Sequence, residues 1–169
     1  VTLLLDAVKG WLPVVLVRWF GEPYGLGEGT MAMAGLAAFL GHLWPVFFRF
    51  EGGKGVATAL GVLVGISPWL GLCAALTWLV VALVSRYSSL ASLSSALVAP
   101  LVYVLAGGML WSTDRATVVA IMAMSALLAW RHQENISRLV QGKESRLGKS
   151  KEAAAAVPAT GNRKHRKRH

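Results

Sequence analysis

The chain has 169 residues, of which 55% are hydrophobic and only 15% are charged, and its mean hydropathy is +0.55. Soluble domains carry roughly 25% charged residues, so the composition excludes an ordinary soluble domain and indicates an integral membrane protein. Eleven of the 17 lysines and arginines follow position 130, and beside a membrane domain such a basic end indicates the cytoplasmic side and anionic lipid rather than nucleic acid.

The first apolar segment, residues 1–20, opens without a charged leader or a signal cleavage pattern. We therefore expect the chain to be a piece of a longer protein. Asp6 and Lys9 lie within this segment, three residues apart and on the same side of a helix. Charges inside a membrane helix face the protein interior or lie near its end. The pair therefore predicts either a structural ion pair at a helix end or the border of a polar site.

A glycine-rich loop at residues 21–29 leads to the second apolar segment, residues 30–48. His42 lies near the far end of this segment. Two interpretations of it stay open: a packed structural imidazole, or a catalytic group beside the turn that follows.

We define the glycine-lysine turn by Gly52, Gly53, Lys54 and Gly55. Its glycines let the backbone adopt positive φ and approach a ligand closely, and successive N–H groups in such a turn form an anion-binding nest. A following helix would add its positive end, and Lys54 adds a full charge, with Arg49 nearby. The pattern predicts a phosphate site at a membrane surface, and the alternative is an ordinary turn with a snorkelling lysine.

No metal site is predicted. Gly55 stands where a Walker A loop places the Ser or Thr that binds Mg²⁺. Cys73 is the single cysteine and lies in an apolar run, which excludes a disulfide framework and a cysteine metal site.

Residues 56–84 are apolar apart from an interruption at Ser67 and Pro68. A helix needs about 20 residues to cross a bilayer, so this stretch is long for one span and short for two. We expect two short or half-inserted helices here.

The next segment, residues 90–107, has small residues at helical spacing on one face, among them Ser88, Ser92 and Ala96. Small faces let membrane helices pack closely. The alternative is that the hydroxyl of Ser88 or Ser92 contacts a substrate.

The last apolar segment, residues 116–130, runs directly into a polar stretch. If the helix continues, His132 and Asn135 share one face, with Arg138 adjacent. These groups donate to phosphate or accept from a hydroxyl. The alternative is a polar helix end at the membrane interface.

The membrane domain is expected to occupy residues 1–148, followed by a basic disordered cytoplasmic tail at residues 149–169. With the tail in the cytoplasm, the alternation of segments places Lys54 and His132 at the cytoplasmic face. Asp6 and His42 fall on the same face. This convergence predicts an active site open to the cytoplasm.

Five stretches of the chain match the motifs of one known family in the expected order. They are Asp-Ala-Val-Lys-Gly at 6–10, Gly-His-x-x-Pro-Val-Phe at 41–47, Gly-Gly-Lys-Gly-Val-Ala-Thr at 52–58, Tyr-Ser-Ser-Leu-Ala-Ser at 87–92 and Arg-His-x-x-Asn-Ile-x-Arg-Leu-x-x-Gly-x-Glu at 131–144. On these motifs the chain resembles the bacterial acyl-phosphate:glycerol-3-phosphate acyltransferases, the PlsY family.

The resemblance implies an all-α, seven-helix transmembrane bundle, multi-pass in the bacterial inner membrane, with its site facing the cytoplasm. The family's phosphate-binding loop corresponds to the glycine-lysine turn. Its C-terminal motif corresponds to His132 and Asn135 as active-site groups, with Glu144 as a structural residue. A Ser-Gly-Asn-Ile-Gly-Ala-Thr-Asn motif of the family has no counterpart here, so we expect little activity from this chain by itself.

The implied reaction is acyl transfer from a fatty acyl phosphate to the 1-hydroxyl of glycerol 3-phosphate, giving 1-acyl-glycerol 3-phosphate and phosphate for phospholipid biosynthesis. Acyl phosphate already has a good leaving group, so no cofactor, metal or protein nucleophile is expected, and positioning of two anions would supply most of the acceleration. His132 is the first candidate base, His42 the second and the substrate's own phosphate the third. Expected partners are the two substrates, membrane lipids and the enzyme that forms acyl phosphate.

Two other classes of protein stay open at this point. A transporter of an anionic phosphorylated metabolite would also have broken helices and embedded charges. Against it, no repeated half is visible and the polar groups gather at one face. A purely structural membrane subunit would leave Lys54, His132 and Asn135 without a role.

Overall fold

The computed structural model describes residues 2–45 and 53–148, and the helices below are those of the described residues. They are α1 Thr2–Phe20, α2 Glu28–Leu43, α3 Val56–Ile66, α4 Pro68–Ser85, α5 Ser88–Leu105, α6 Arg115–Arg131 and α7 Gln133–Val140, with a 3₁₀ turn at Glu22–Tyr24. Three predictions fall outside the described residues: the phosphate roles of Arg49 and Gly52, and the disordered tail at 149–169.

Within the described part of the chain, α4 and α5 are the two helices both long and apolar enough to cross a bilayer, each with 18 residues and mean hydropathies of 1.9 and 1.7. The lengths of α2 and α6 fall just short, at 16 and 17 residues, while α1 carries three charged residues. Large apolar side chains such as Leu83 and Val84 lie on the outer surface of the bundle. An apolar exterior is what lipid contact requires.

The predicted interruption falls between α3 and α4. Ser67 is extended, with φ −155° and ψ 124°, and Pro68 occupies the start of α4. A proline disfavours helical backbone at the residue before it, and its missing N–H has no cost at the first helical position. The expectation of a short helix is confirmed for α3, which has 11 residues. It is wrong for α4, which continues to Ser85 and is long enough to span.

Glycines bring α1 and α3 into backbone contact. A Cβ on Gly10 would overlap the carbonyl oxygen of Thr58, and one on Gly61 would overlap the carbonyl oxygen of Ala7. Small residues of this kind allow close approach of membrane helices, and α1 and α3 form the most extensive helix pair among the described elements. The pairing fixes the start of α3, and the turn before it, beside the first half of α1.

The core lies where α2, α3, α4 and α6 meet. Its fully buried side chains include Phe39, Leu43, Val62, Leu70 and Ile121. Charged and polar side chains collect at the two ends of this core. The end formed by the glycine-lysine turn, the start of α5 and the α6–α7 junction carries the candidate site.

Candidate active site

The described part of the glycine-lysine turn leads directly into α3. Gly53 and Lys54 are exposed, and Gly55 precedes the helix with φ +79°. Glycine is required at position 55 for two reasons, because its φ is left-handed and because a Cβ there would clash with the ring of Phe39. Among the residues that the structure describes, no side chain caps α3, and the N-terminus of a helix is suited to bind an anion.

Lys54 and Asn135 lie in direct contact although they are 81 residues apart in the sequence. The ammonium group of Lys54 donates to Oδ1 of Asn135 at 2.7 Å. The amide nitrogen of Asn135 donates in turn to Oε1 of Glu144 at 2.6 Å. The two motifs predicted to form one site are therefore joined by a continuous chain of hydrogen bonds.

The carboxylate of Glu144 accepts two further hydrogen bonds. Ser89 Oγ donates to Oε1 at 2.7 Å, and Arg138 Nε donates to Oε2 at 2.8 Å. Burial of the side chain, which is 7% exposed, would raise the pKa of Glu144. The hydrogen bonds from Ser89, Asn135 and Arg138, together with the charge of Arg138, outweigh burial and lower the pKa to about 2. Glu144 is thus an ionised acceptor shared by three donors.

His132 is buried between α6 and α7, with 2% of its surface exposed. Its Nδ1 lies 2.8 Å from the carbonyl oxygen of Leu128. A carbonyl can only accept, so Nδ1 carries the proton in the neutral ring and Nε2 has the lone pair.

The protonation of His132 follows from its surroundings. Burial lowers its pKa and the nearby charge of Lys54 lowers it further, while the bond to Leu128 and the charge of Glu144 oppose them. The net shift is downward, so the ring is neutral at neutral pH. Neutral His132 can accept a proton at Nε2.

The expected helical continuation through His132 needs a correction. The chain breaks at this residue, whose φ and ψ are −99° and 9°, and α7 begins at Gln133. The break lets His132 lie under the end of α6 while Asn135 turns toward Lys54. Both side chains are buried.

Asp6, Lys9 and His42 form a second cluster beside the turn. Lys9 Nζ lies 2.7 Å from Oδ1 of Asp6, and Nδ1 of His42 lies 3.5 Å from the same oxygen. The imidazole of His42 contacts Gly53, so the cluster does border the turn. On the opposite side, Arg131 Nη2 donates to the carbonyl oxygen of Gly53 at 3.3 Å.

Two predicted phosphate ligands are engaged elsewhere. Arg138 binds Glu144 and lies 3.7 Å from Glu134. The hydroxyl of Ser92 accepts from Trp78 Nε1 at 3.1 Å and donates to the carbonyl oxygen of Ser88 at 2.9 Å. Ser92 therefore does not join the Lys54 network, and its phosphate role stays a prediction, as does that of Arg138.

An apolar cavity of about 590 Å³ lies between α1, α3, α4, α5 and α6. Its lining includes Val56, two residues after Lys54, and Leu128, whose carbonyl accepts from His132. Ser92, Ala96 and Ala99 of α5 also line it. The expectation that this small face packs closely is confirmed against α4, where Trp78 donates to Ser92, and the same face also borders the cavity.

Sequence reasoning missed Ser89. It lies in the matched stretch at 87–92, but helical spacing drew attention to Ser88 and Ser92 instead. The partner of Ser89 is 55 residues away, and no local pattern indicates that contact. The hydrogen bonds between Arg86 and Leu147, which fasten the segment after α7 to the α4–α5 turn, were missed for the same reason.

Comparison with known proteins places the chain in a family. Residues 1–142 match the sequence model of the glycerol-3-phosphate acyltransferase family. The chain belongs to this family. A glycerol-3-phosphate acyltransferase of Albidiferax ferrireducens is 64% identical over 149 residues, covering 88% of this chain and 66% of that protein. Another, from Paraburkholderia phytofirmans, is 54% identical over 162 residues, covering 95% and 73%.

Two crystal structures are similar to this fold. PlsY (YgiH), an integral membrane glycerol 3-phosphate acyltransferase, matches in its glycerol 3-phosphate form with a TM-score of 0.79 and 38% identity, covering 89% of this chain and 72% of that one. Its lysophosphatidic acid form matches with a TM-score of 0.77 and 40% identity, covering 86% and 70%. These matches confirm the PlsY resemblance and the all-helical membrane bundle. The chain spans about two thirds to three quarters of the length of these relatives.

The low pKa of Glu144 predicts a specific loss of stability in acid. Because the folded-state pKa, about 2, lies below the ordinary value of 4.5, its stabilisation is complete above pH 4.5 and declines as the pH falls toward 2. Glu144→Gln should remove this part of the pH dependence. It should also destabilise the protein at neutral pH, because the amide N–H₂ of the new glutamine would face Ser89, Asn135 or Arg138, which donate hydrogen bonds to Glu144. Unfolding in detergent as a function of pH measures both effects.

Glu134→Gln is the matched control, because the Glu134 side chain is 85% exposed and only 3.7 Å from the same arginine. We expect Glu134→Gln to lose stability in acid as the parent protein does. The assignment of Glu144 as the shared acceptor is wrong if Glu144→Gln and Glu134→Gln unfold alike across the pH range.

Proposed function

We propose that this chain carries the acyl-transfer site of a glycerol-3-phosphate acyltransferase whose donor is a fatty acyl phosphate. The 1-hydroxyl of glycerol 3-phosphate attacks the acyl carbonyl, and the bond between the carbonyl carbon and the phosphate oxygen breaks. The products are 1-acyl-glycerol 3-phosphate and inorganic phosphate. The observation that carries the proposal is a cationic, hydrogen-bonded cluster adjacent to Val56 and Leu128, which line an apolar cavity.

The phosphate groups would be held by Lys54 and the start of α3. The ammonium group has three protons, and the bond to Asn135 uses one of them. The N-terminus of α3 adds N–H donors beside it. Arg131, bound to the carbonyl of Gly53, adds positive charge near the same point. Gly52 and Arg49 stay predicted contributors.

His132 is the proposed base. Its Nε2 lone pair would take the proton of the attacking 1-hydroxyl, while the hydrogen bond from Nδ1 to Leu128 holds the ring in the required tautomer. The departing phosphate needs no proton to leave and can receive this proton afterwards. Asn135 orients the ammonium group of Lys54 through its side-chain oxygen.

The apolar cavity would hold the fatty acyl chain. Its buried lining includes Leu63, Ala74, Ala99 and Ile121, and Val56 and Leu128 line it next to the polar cluster. An acyl phosphate bound in this way has its tail in the hydrocarbon-like interior and its reacting carbonyl at the polar cluster.

We place the polar end of the bundle on the cytoplasmic side. Arg131, Arg138, Lys143 and Arg146 lie at or beyond this end, and the basic tail follows them. An excess of lysine and arginine marks cytoplasmic segments of membrane proteins. From that side, the water-soluble glycerol 3-phosphate would reach the cluster directly, and membrane lipids would surround the cavity-bearing helices.

The direct test measures release of inorganic phosphate from palmitoyl phosphate by the product of the complete gene in detergent or a bilayer. Release should depend on glycerol 3-phosphate and match the lysophosphatidic acid formed. Palmitoyl-CoA serves as the control donor and should be inactive. Phosphate release without glycerol 3-phosphate, or transfer from the thioester alone, would contradict the proposed donor and acceptor. Counterflow of labelled glycerol 3-phosphate across vesicles would instead support the transporter alternative.

Lys54→Ala should weaken the binding of both phosphate-bearing substrates. A charge-assisted hydrogen bond contributes about 1.5–3 kcal/mol, so we expect KM to rise roughly tenfold or more for each substrate. Lys143→Ala removes the same charge from an exposed position after α7 and should leave both KM values unchanged. Equal kinetics of the two variants would remove Lys54 from the phosphate site.

His132→Ala and Asn135→Ala should each lower turnover per folded molecule. General base catalysis contributes about 10²- to 10⁴-fold, and the loss for His132→Ala should fall in that range. Gln133→Ala, an exposed neighbour in the same turn, is the control and should keep parental turnover. Parental turnover in both buried-site variants would defeat the assignment.

Ala99→Phe should shorten the preferred acyl chain. A phenyl ring at this buried position of α5 would fill part of the cavity. We expect kcat/KM for long-chain acyl phosphates to fall relative to short-chain ones. Leu97→Phe, on the outer face of the same helix with 67% exposure, should keep the parental preference. An unchanged chain-length profile in a folded, active Ala99→Phe protein would exclude the cavity as the acyl site.

A further inference from the structure

Side chains hold the glycine-lysine turn from three directions. Lys54 reaches Asn135 in α7, and Arg131 at the end of α6 binds the carbonyl oxygen of Gly53. On the side of α2, the imidazole of His42 lies against Gly53. Donors that are already in place before a ligand binds require no reorganisation, so each contact on this turn bears on phosphate binding.

The contact with His42 leaves no space for a side chain at position 53. A Cβ on Gly53 would lie 2.5 Å from Nε2 of His42 and 3.1 Å from Cε1. The neighbouring imidazole therefore demands glycine at this position.

The imidazole is held in turn by α1. Its Nδ1 faces Oδ1 of Asp6, which is also bound by Lys9 at 2.7 Å. The side chain of His42 is only 11% exposed. A chain of contacts thus runs from Lys9 through Asp6 and His42 to Gly53, and it links α1 and α2 to the turn.

We propose that Asp6 and His42 are positioning residues for the phosphate-binding turn. Asp6 orients the imidazole, and the imidazole sets where the backbone of Gly53 lies. The proposal rests on the phosphate role proposed for the turn, and it gives His42 no proton-transfer role. A displaced turn would make weaker contacts with the phosphate of glycerol 3-phosphate. The loss should appear mainly in KM for glycerol 3-phosphate, because the base His132 is untouched.

The test is a double-mutant cycle between Gly53→Ala and His42→Ala in the product of the complete gene. Gly53→Ala drives a methyl group into the ring, and we expect KM for glycerol 3-phosphate to rise roughly tenfold or more. His42→Ala alone should also raise KM, because the turn loses its support. Added to Gly53→Ala, however, it should lower KM or leave it unchanged, since the obstacle is gone.

Gly41→Ala provides the matched control cycle. Gly41 is next to His42 in the same helix, but a Cβ there would meet no atom of another described element within 4 Å. Its effect should add to that of His42→Ala. Asp6→Asn keeps an oxygen facing Nδ1 of His42 and should retain a near-parental KM. Asp6→Leu should raise KM about as much as His42→Ala does. Combining Asp6→Leu with His42→Ala should raise KM no further.

Thermal unfolding of the same variants separates this inference from the proposed reaction. Non-additive changes in unfolding temperature for Gly53→Ala and His42→Ala would support the contact even if no acyl transfer were found. A lack of acyl transfer would then contradict the proposed reaction and not the contact. Additive effects on both KM and unfolding in an active protein would overturn the positioning role. A His42→Ala variant with lowered turnover and parental KM would also overturn the positioning role, and it would indicate that His42 transfers a proton.

Discussion

One buried carboxylate determines the arrangement of the candidate site. An ionised group shielded from water must be matched by donors, and Glu144 receives them from Ser89 in α5 and from Asn135 and Arg138 in α7. Because Oε1 accepts from the Asn135 nitrogen, the amide oxygen must face the opposite way, toward Lys54. The orientation of the group that binds Lys54 is therefore set by a residue that itself lies outside the glycine-lysine turn.

Small residues have two different consequences in this bundle. Gly10 and Gly61 bring α1 and α3 into backbone contact, which fixes the start of α3. Ser92, Ala96 and Ala99 are also small residues, and they line a cavity of about 590 Å³. Opposite the glycines another backbone approaches. The small residues of α5 instead border both α4, where Trp78 donates to Ser92, and the open space of the cavity.

Local patterns predicted what depends on local physics. The Ser67–Pro68 break followed from the restriction that proline places on its neighbour. Most helix ends lie within about two residues of the predicted segments, but α2 ends at Leu43 rather than at residue 48. The residue types in the matched motifs predicted Lys54, His132 and Asn135 as site residues. Three features needed the fold: the Ser89–Glu144 bond, the contact of His42 with Gly53, and the open space beside α5. Each depends on residues distant in sequence, and periodicity carries no information about which helix faces which.

The network also bears on the charge at the proposed phosphate site. Glu144 by itself would repel an anion bound at Lys54, since like charges disfavour each other even across several ångströms. Arg138 binds the carboxylate directly at 2.8 Å and offsets its charge. The positive charge of Lys54 then remains on the side of the turn. A residue whose contacts place it away from phosphate can thus still favour phosphate binding, because it neutralises the anion that the hydrogen-bond network requires.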